Sequence, residues 1–201
     1  MERKCFLTAV VFMIGLSPAC TSHEKYSNSL CKGPFAAGSV TEVSINTKQP
    51  GRVAMVLKAT LKTHIQGYYP IESKHSMHGK PGFPFVANID DERFEWKDDG
   101  HPETLPYEEK GEWNPEGGEG VRYQIEKNLS LSPGRHRVTL KIPSEGISLT
   151  VGIELVRQAD PYILEFKPIY NGPGTIEFGF LYGITHMSAF LNGVELSACP
   201  N

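Results

Sequence analysis

The sequence predicts an all-β fold, an antiparallel β-sandwich. Three observations lead there: apolar residues recur at spacing two along most of the chain, Gly and Pro clusters separate those runs, and no stretch of ten residues shows the period of an amphipathic helix. The chain has 201 residues, 39% of them hydrophobic, with 20 Gly and 15 Pro, which suits one globular domain and excludes a disordered chain or a coiled coil. Twenty Lys and Arg against 23 Asp and Glu leave no overall positive field to hold a nucleic-acid backbone.

The strands follow in order. Val53, Met55, Leu57, Ala59, Leu61 and Ile65 fall on one row with Lys58, Lys62 and His64 opposite, the pattern of a strand with one face in the core. A run from Phe85 ends in the turn Asn88-Ile-Asp-Asp91, and residues 121–127 and 129–140 extend again. Val138, Leu140 and Ile142 share a face with His136, which is expected to be a buried, hydrogen-bonded histidine. Ile147, Leu149, Val151, Ile153 and Leu155 alternate, and Pro143-Ser-Glu-Gly146 supplies the turn between, so the two runs read as a hairpin. Residues 162–170 and 175–182 add two strands around Asn171-Gly-Pro-Gly174. A last strand covers residues 189–196, with Asn192-Gly193 a turn or bulge.

From residue 85 to 142 the order is a strand ending in an Asp turn, an insertion, then Ser132-Pro-Gly-Arg-His136-Arg-Val138 opening the closing hairpin. This resembles the PEGA-like and prealbumin-like sandwich modules of bacterial surface proteins over roughly 35 residues outside the insertion. The resemblance implies a sandwich of immunoglobulin-like or prealbumin-like kind and says nothing of activity.

The N-terminus reads as an export signal. Arg3 and Lys4 precede an apolar run over residues 5–16, which as a helix would span about 18 Å, short of the roughly 30 Å hydrocarbon core. It ends in Leu16-Ser-Pro-Ala-Cys20, which resembles the lipobox of bacterial lipoproteins, although Ser17 stands where that family usually has Leu. The resemblance implies removal of residues 1–19 and lipidation of Cys20, and Thr21 after it implies the outer membrane in a Gram-negative cell. Ordinary cleavage after Ala19 or Ser22 is the alternative. The expected organisation is thus a signal peptide over 1–19, a lipidated tether over 20–34 and a sandwich domain over 35–201. Cys31 and Cys199 then remain as an even pair in an oxidising compartment and are expected to be bonded.

Charge is uneven. Residues 88–120 hold twelve acids against Arg93, Lys97 and Lys110. Residues 97–120 read as a long exposed acidic loop, because Pro102, Pro106, Pro115 and Gly117-Gly118 interrupt any period. Trp96, Tyr107 and Trp113 stand among these acids, and flat aromatic faces beside hydrogen-bonding carboxylates are what a sugar ring needs, so they are the candidate glycan-binding residues. The same acids, with Asp98 and Asp99 at their centre, offer oxygens for Ca²⁺ without reproducing an EF-hand loop. His75 and His78, with Met77 between, would suit copper, while solvated loop histidines are the plainer expectation.

Catalysis finds no motif: there is no Gly-x-Ser-x-Gly, no His-Glu-x-x-His and no phosphate-cradling Gly-x-x-x-x-Gly-Lys. The expected protein is non-enzymatic, needs no cofactor, and is held at the cell envelope, where it contacts a protein partner through its acidic segment or sheet edges. A carbohydrate-binding module is the alternative, and a divalent-metal-binding protein a second.

Overall fold

The computed structural model describes residues 30–32, 34–35, 39–44, 49–170 and 179–200. The expected signal peptide, Cys20 and residues 175–178 of one expected strand lie outside them. The strands are β1 (Thr41–Glu42), β2 (Val53–Thr63), β3 (Phe83–Ile89), β4 (Glu92–Asp98), β5 (His101–Leu105), β6 (Glu108–Glu109), β7 (Glu112–Trp113), β8 (Gly118–Leu131), β9 (Gly134–Ile142), β10 (Ile147–Leu155), β11 (Tyr162–Tyr170), β12 (Ile184–Leu191) and β13 (Val194–Leu196). Helix among the described residues amounts to little more than two 3₁₀ turns, Pro143–Glu145 and Phe180–Tyr182. The all-β expectation therefore holds.

One sheet runs β1-β8-β2-β11-β12-β13, with β5 also paired to β8; the other runs β10-β9-β3-β4; β6 and β7 form a separate ribbon. Pairing is antiparallel except between β2 and β11, which lie parallel from Tyr162 opposite Met55. The expected β9–β10 hairpin is present, with Ile142 opposite Ile147, and Gly146 closes its turn at φ 67°, a left-handed conformation that suits a residue without Cβ.

The core follows from the period-two rows. Val53, Met55, Leu57, Ala59 and Leu61 of β2 pack in one buried cluster with Phe83, Phe85, Ala87 and Ile89 of β3, and with Val138, Leu140 and Ile142 of β9. Each Val, Leu, Ile, Met or Phe among them contributes roughly 1.5–3 kcal/mol on burial, which fixes which face of each strand turns inward. His136 is 1% exposed, its Nδ1 2.7 Å from Asp90 and its Nε2 2.8 Å from the Ser132 carbonyl. That ties the Pro-Gly-x-His segment to the Asp turn between β3 and β4.

Both ends of the described chain dock on β9 and β10. Cys31 and Cys199 are bonded, as expected, across 168 positions. Cys199 N–H donates to the Thr150 carbonyl at 2.7 Å, and Arg137 Nη2 donates to the Cys31 carbonyl at 3.0 Å. Leu30 lies so close over Gly152 that a Cβ there would come within 2.7 Å of the Leu30 carbonyl group.

Three expectations change. The segment 97–120 is not one long loop: it forms β5 against β8, then the β6–β7 hairpin, whose turn places Lys110 and Gly111 at φ 55° and 82°. As an edge strand, β5 tolerates Pro102 and needs no apolar row, so periodicity did not reveal it. The far end of β2 is buried on both faces: Lys62 is 1% and His64 3% exposed, while Ile65, expected in the core, is 38% exposed beyond the strand. Phe180–Tyr182 is a 3₁₀ turn rather than strand; Asn192-Gly193 is a turn, as expected, and separates β12 from β13.

Candidate functional site

The chemistry gathers where β2 ends, around a buried ion network. Lys62 Nζ donates to the carbonyls of Glu116 and Gly118, each at 2.8 Å, and stands 4.7 Å above the Phe180 ring. Arg122 of β8 meets Glu116 in a two-pronged bond, Nη1 to Oε1 at 2.8 Å and Nη2 to Oε2 at 2.6 Å, and reaches Glu103 Oε2 of β5 at 2.7 Å. The Tyr170 hydroxyl accepts from Lys62 N–H at 2.6 Å and donates to Glu116 Oε1 at 3.1 Å. Burial pushes the Lys62 ammonium below its ordinary value despite Glu103, and pushes the Tyr170 phenol well up. Desolvation would raise Glu103, but the Arg122 guanidinium and then Lys62 hold it below its ordinary value.

A pH effect follows. Arg122, Lys62 and His101 favour the Glu103 anion, so its folded-state pKa lies below the unfolded value near 4.5. The stabilisation is present above that value and is lost as pH falls through the depressed folded value. Glu103→Gln should therefore be less stable than wild type at pH 7 and lose less on acidification. Urea midpoints at pH 7, 5, 4 and 3 measure this; equal acid slopes for both proteins would refute it.

The network carries a cleft. Glu116 belongs to the segment that joins β7 to β8, where Phe180 N–H donates to the Pro115 carbonyl and Asn114 N–H to the Tyr107 carbonyl, at 2.9 and 2.8 Å. Gly118 leaves room for the Tyr107 ring: a Cβ would lie 2.8 Å from its hydroxyl. The cleft so formed, of about 470 Å³, is lined by Tyr68, Tyr107, Trp113, Phe180 and Tyr182, with Glu108 at its side. Tyr68, Tyr107, Trp113 and Tyr182 are 47%, 63%, 39% and 46% exposed, and among the described residues they are all the large aromatics so exposed. Four accessible rings in one concavity are a surface for a flat ligand face.

Beside the cleft lies a second cluster. His64 follows β2, Glu72 and His78 lie in the segment before β3, and Glu145 is in the 3₁₀ turn after β9. His64 Nε2 is 2.7 Å from His78 Nδ1, and Glu72 Oε1 is 3.8 and 4.0 Å from those two nitrogens. His78 Nε2 is 2.7 Å from Glu145 Oε1. The segment is pinned by Tyr123, whose hydroxyl donates to the Lys80 carbonyl at 2.9 Å and whose phenol is pushed up to about 12 by burial. Gly79 packs so tightly on residues 65–66 that a Cβ would come within 2.1 Å of the Gln66 nitrogen. Although desolvation acts upward, the Ser76 hydroxyl, then His64, hold the Glu72 carboxyl below its ordinary value.

The residues singled out from sequence distribute unevenly. Tyr107 and Trp113 share the cleft, but Trp96 does not: it is 7% exposed, stacked on Phe94 at 5.6 Å, and donates to Glu42 Oε2 at 3.1 Å. Its row on β4 faces the core. His78 joins the cluster, whereas His75 stays exposed and Met77 packs against the core. Asp98 accepts from the N–H groups of Gly100 and Gln124, and Asp99 from Gly82, so both carboxylates serve backbone donors. The pair Tyr68-Tyr69 in a polar turn was the available signal for the missing cleft wall. His64, placed by periodicity on a solvent face, carried none. Comparison with known proteins returns no match among family models, curated proteins or solved structures.

Proposed function

We propose that this chain is an exported, lipid-anchored, non-enzymatic binding module of the cell envelope, and that it takes a carbohydrate in the aromatic cleft. The observation that carries the reading is the convergence of Tyr68, Tyr107, Trp113 and Tyr182 in one concavity. A sugar stacks its C–H face on such rings while its hydroxyls bond to Glu108 and the tyrosine hydroxyls. Among the described residues the cleft lining includes one carboxylate, Glu108, where most glycosidic hydrolysis uses a pair, and this supports binding without turnover. Anchoring at Cys20 and sorting through Thr21 rest on the lipobox resemblance. Two sheets that share one core support a sandwich of immunoglobulin-like or prealbumin-like kind, with the acidic residues 97–120 as its insertion.

A protein partner is the second reading. It is favoured by β4, which among the described residues of its sheet pairs with β3 alone and exposes Arg93, Glu95 and Lys97 along its length. Such charges disfavour strand addition and suit a charged partner face instead.

Glycan arrays and polysaccharide pull-downs test the first reading. Trp113→Ala and Tyr107→Ala should each weaken retention at least tenfold, about 1.4 kcal/mol, with an unchanged melting temperature, and Trp96→Phe should bind as wild type. No retained polysaccharide, or full retention by Trp113→Ala, would end the carbohydrate reading. A membrane protein captured in the presence of competing glycan would favour the second.

A further inference from the structure

We propose that His64, Glu72 and His78 form a site for a borderline first-row divalent cation, with Zn²⁺ as its probe, and that Glu145 is the outer carboxylate that orients His78. Among the described residues this is the group of three whose donor atoms all lie within 4.8 Å of one another. Zinc–nitrogen bonds of about 2.0–2.1 Å in a tetrahedron separate neighbouring donors by roughly 3.3–3.4 Å. The separations here, 2.7, 3.8 and 4.0 Å, bracket that value, so small side-chain adjustments would bring all three donors onto one ion.

The outer contacts decide what the inner atoms offer. His64 Nδ1 is 2.9 Å from the Ile65 carbonyl, which can only accept, so the ring hydrogen of the neutral imidazole lies there and Nε2 is bare. In a neutral His78 whose Nε2 donates to Glu145 at 2.7 Å, Nδ1 is bare in the same way. With both rings neutral, the two bare nitrogens stand 2.7 Å apart, a repulsion that a proton or a metal cation between them converts to attraction. Carbonyl–histidine and carboxylate–histidine contacts of this kind are how metal-binding imidazoles are held.

Glu72 is aimed by the Ser76 hydroxyl at 2.5 Å and by Gly67 N–H at 3.3 Å. With Glu72 and Glu145 ionised, a divalent ion makes the cluster neutral, and this matters because the His64 and Glu145 side chains are only 3% and 7% exposed. Two imidazole nitrogens select against Ca²⁺ and Mg²⁺, which take oxygen ligands, and favour Zn²⁺ or Cu²⁺. Three protein donors leave a fourth position for water or another ligand. The bound ion would also brace residues 64–78, because the His64 ring lies 5.6 Å from Tyr68 of the cleft. The site does not depend on the carbohydrate reading.

Calorimetric titration of the chelator-treated, dialysed protein with Zn²⁺ at pH 7.5 tests the site, with melting curves run in parallel. One equivalent of Zn²⁺ should bind and raise the melting temperature, while millimolar Ca²⁺ does neither. His78→Gln should abolish stoichiometric binding, Glu145→Gln should weaken it about 10–100-fold, and His75→Ala should leave it unchanged. Far-UV dichroism verifies that each variant is folded; the Glu145→Gln change conserves shape and keeps the test decisive if His78→Gln is not. Absence of stoichiometric zinc, or equal affinity in wild type and Glu145→Gln, overturns the proposal. A loss caused by His75→Ala overturns it as well, in favour of exposed loop histidines.

Discussion

Replacing both Cys31 and Cys199 with Ser should lower the unfolding free energy by up to about 5 kcal/mol, because the bond closes a loop of 168 positions and removes that loop's entropy from the unfolded chain. At roughly 2–4 °C per kcal/mol for a protein of this size, the melting temperature should fall by about 10–20 °C. Local anchoring adds to the effect. The Cys31 carbonyl accepts from Arg137 and the Cys199 amide donates to Thr150, so each cysteine already lies on the β9–β10 hairpin and little native rearrangement opposes the bond. Wild type treated with reductant should match the double variant, and glycan retention should survive at temperatures where the variant is folded, since the cleft lies on other elements. A loss below about 1 kcal/mol in urea titration would mean that the unfolded chain already holds its ends together.

Arg122→Met should cost about 3–5 kcal/mol, the range for breaking a buried pair by removing one partner. Arg122 is 9% exposed and donates to both Glu103 and Glu116. Without it two carboxylates face each other, with Lys62 3.7 Å from Glu103 as the nearby ammonium, and that ammonium is itself disfavoured by burial. Adding Glu103→Gln and Glu116→Gln to Arg122→Met should recover part of the loss by removing the uncompensated charge, so the triple variant should exceed the single in stability. The surface pair Lys58–Glu126, 2.9 Å apart but 39% and 59% exposed, is the control: Lys58→Met should cost less than about 1 kcal/mol. Because Glu116 also positions the Pro115 contact to Phe180, Arg122→Met should weaken glycan retention even below its melting point. Equal losses for Lys58→Met and Arg122→Met would show that the network adds nothing beyond a surface pair.

The parts legible from residue order are those governed by neighbours along the chain. Alternation placed β2, β9 and β10 because a side chain two positions on must face the same way in any strand, and Pro143-to-Gly146 chemistry closes a hairpin whatever surrounds it. The Cys31–Cys199 bond followed from counting thiols. What no local pattern contains is which distant segments meet. The parallel contact of β2 with β11, the burial of Lys62 against Phe180, the inward turn of Trp96 and the meeting of His64, Glu72, His78 and Glu145 each depend on the crossing of segments far apart in sequence. Periodicity tells how a residue is turned relative to its own strand; only the packed sheets decide what it is turned toward, and the chemistry of a site is a property of that second relation.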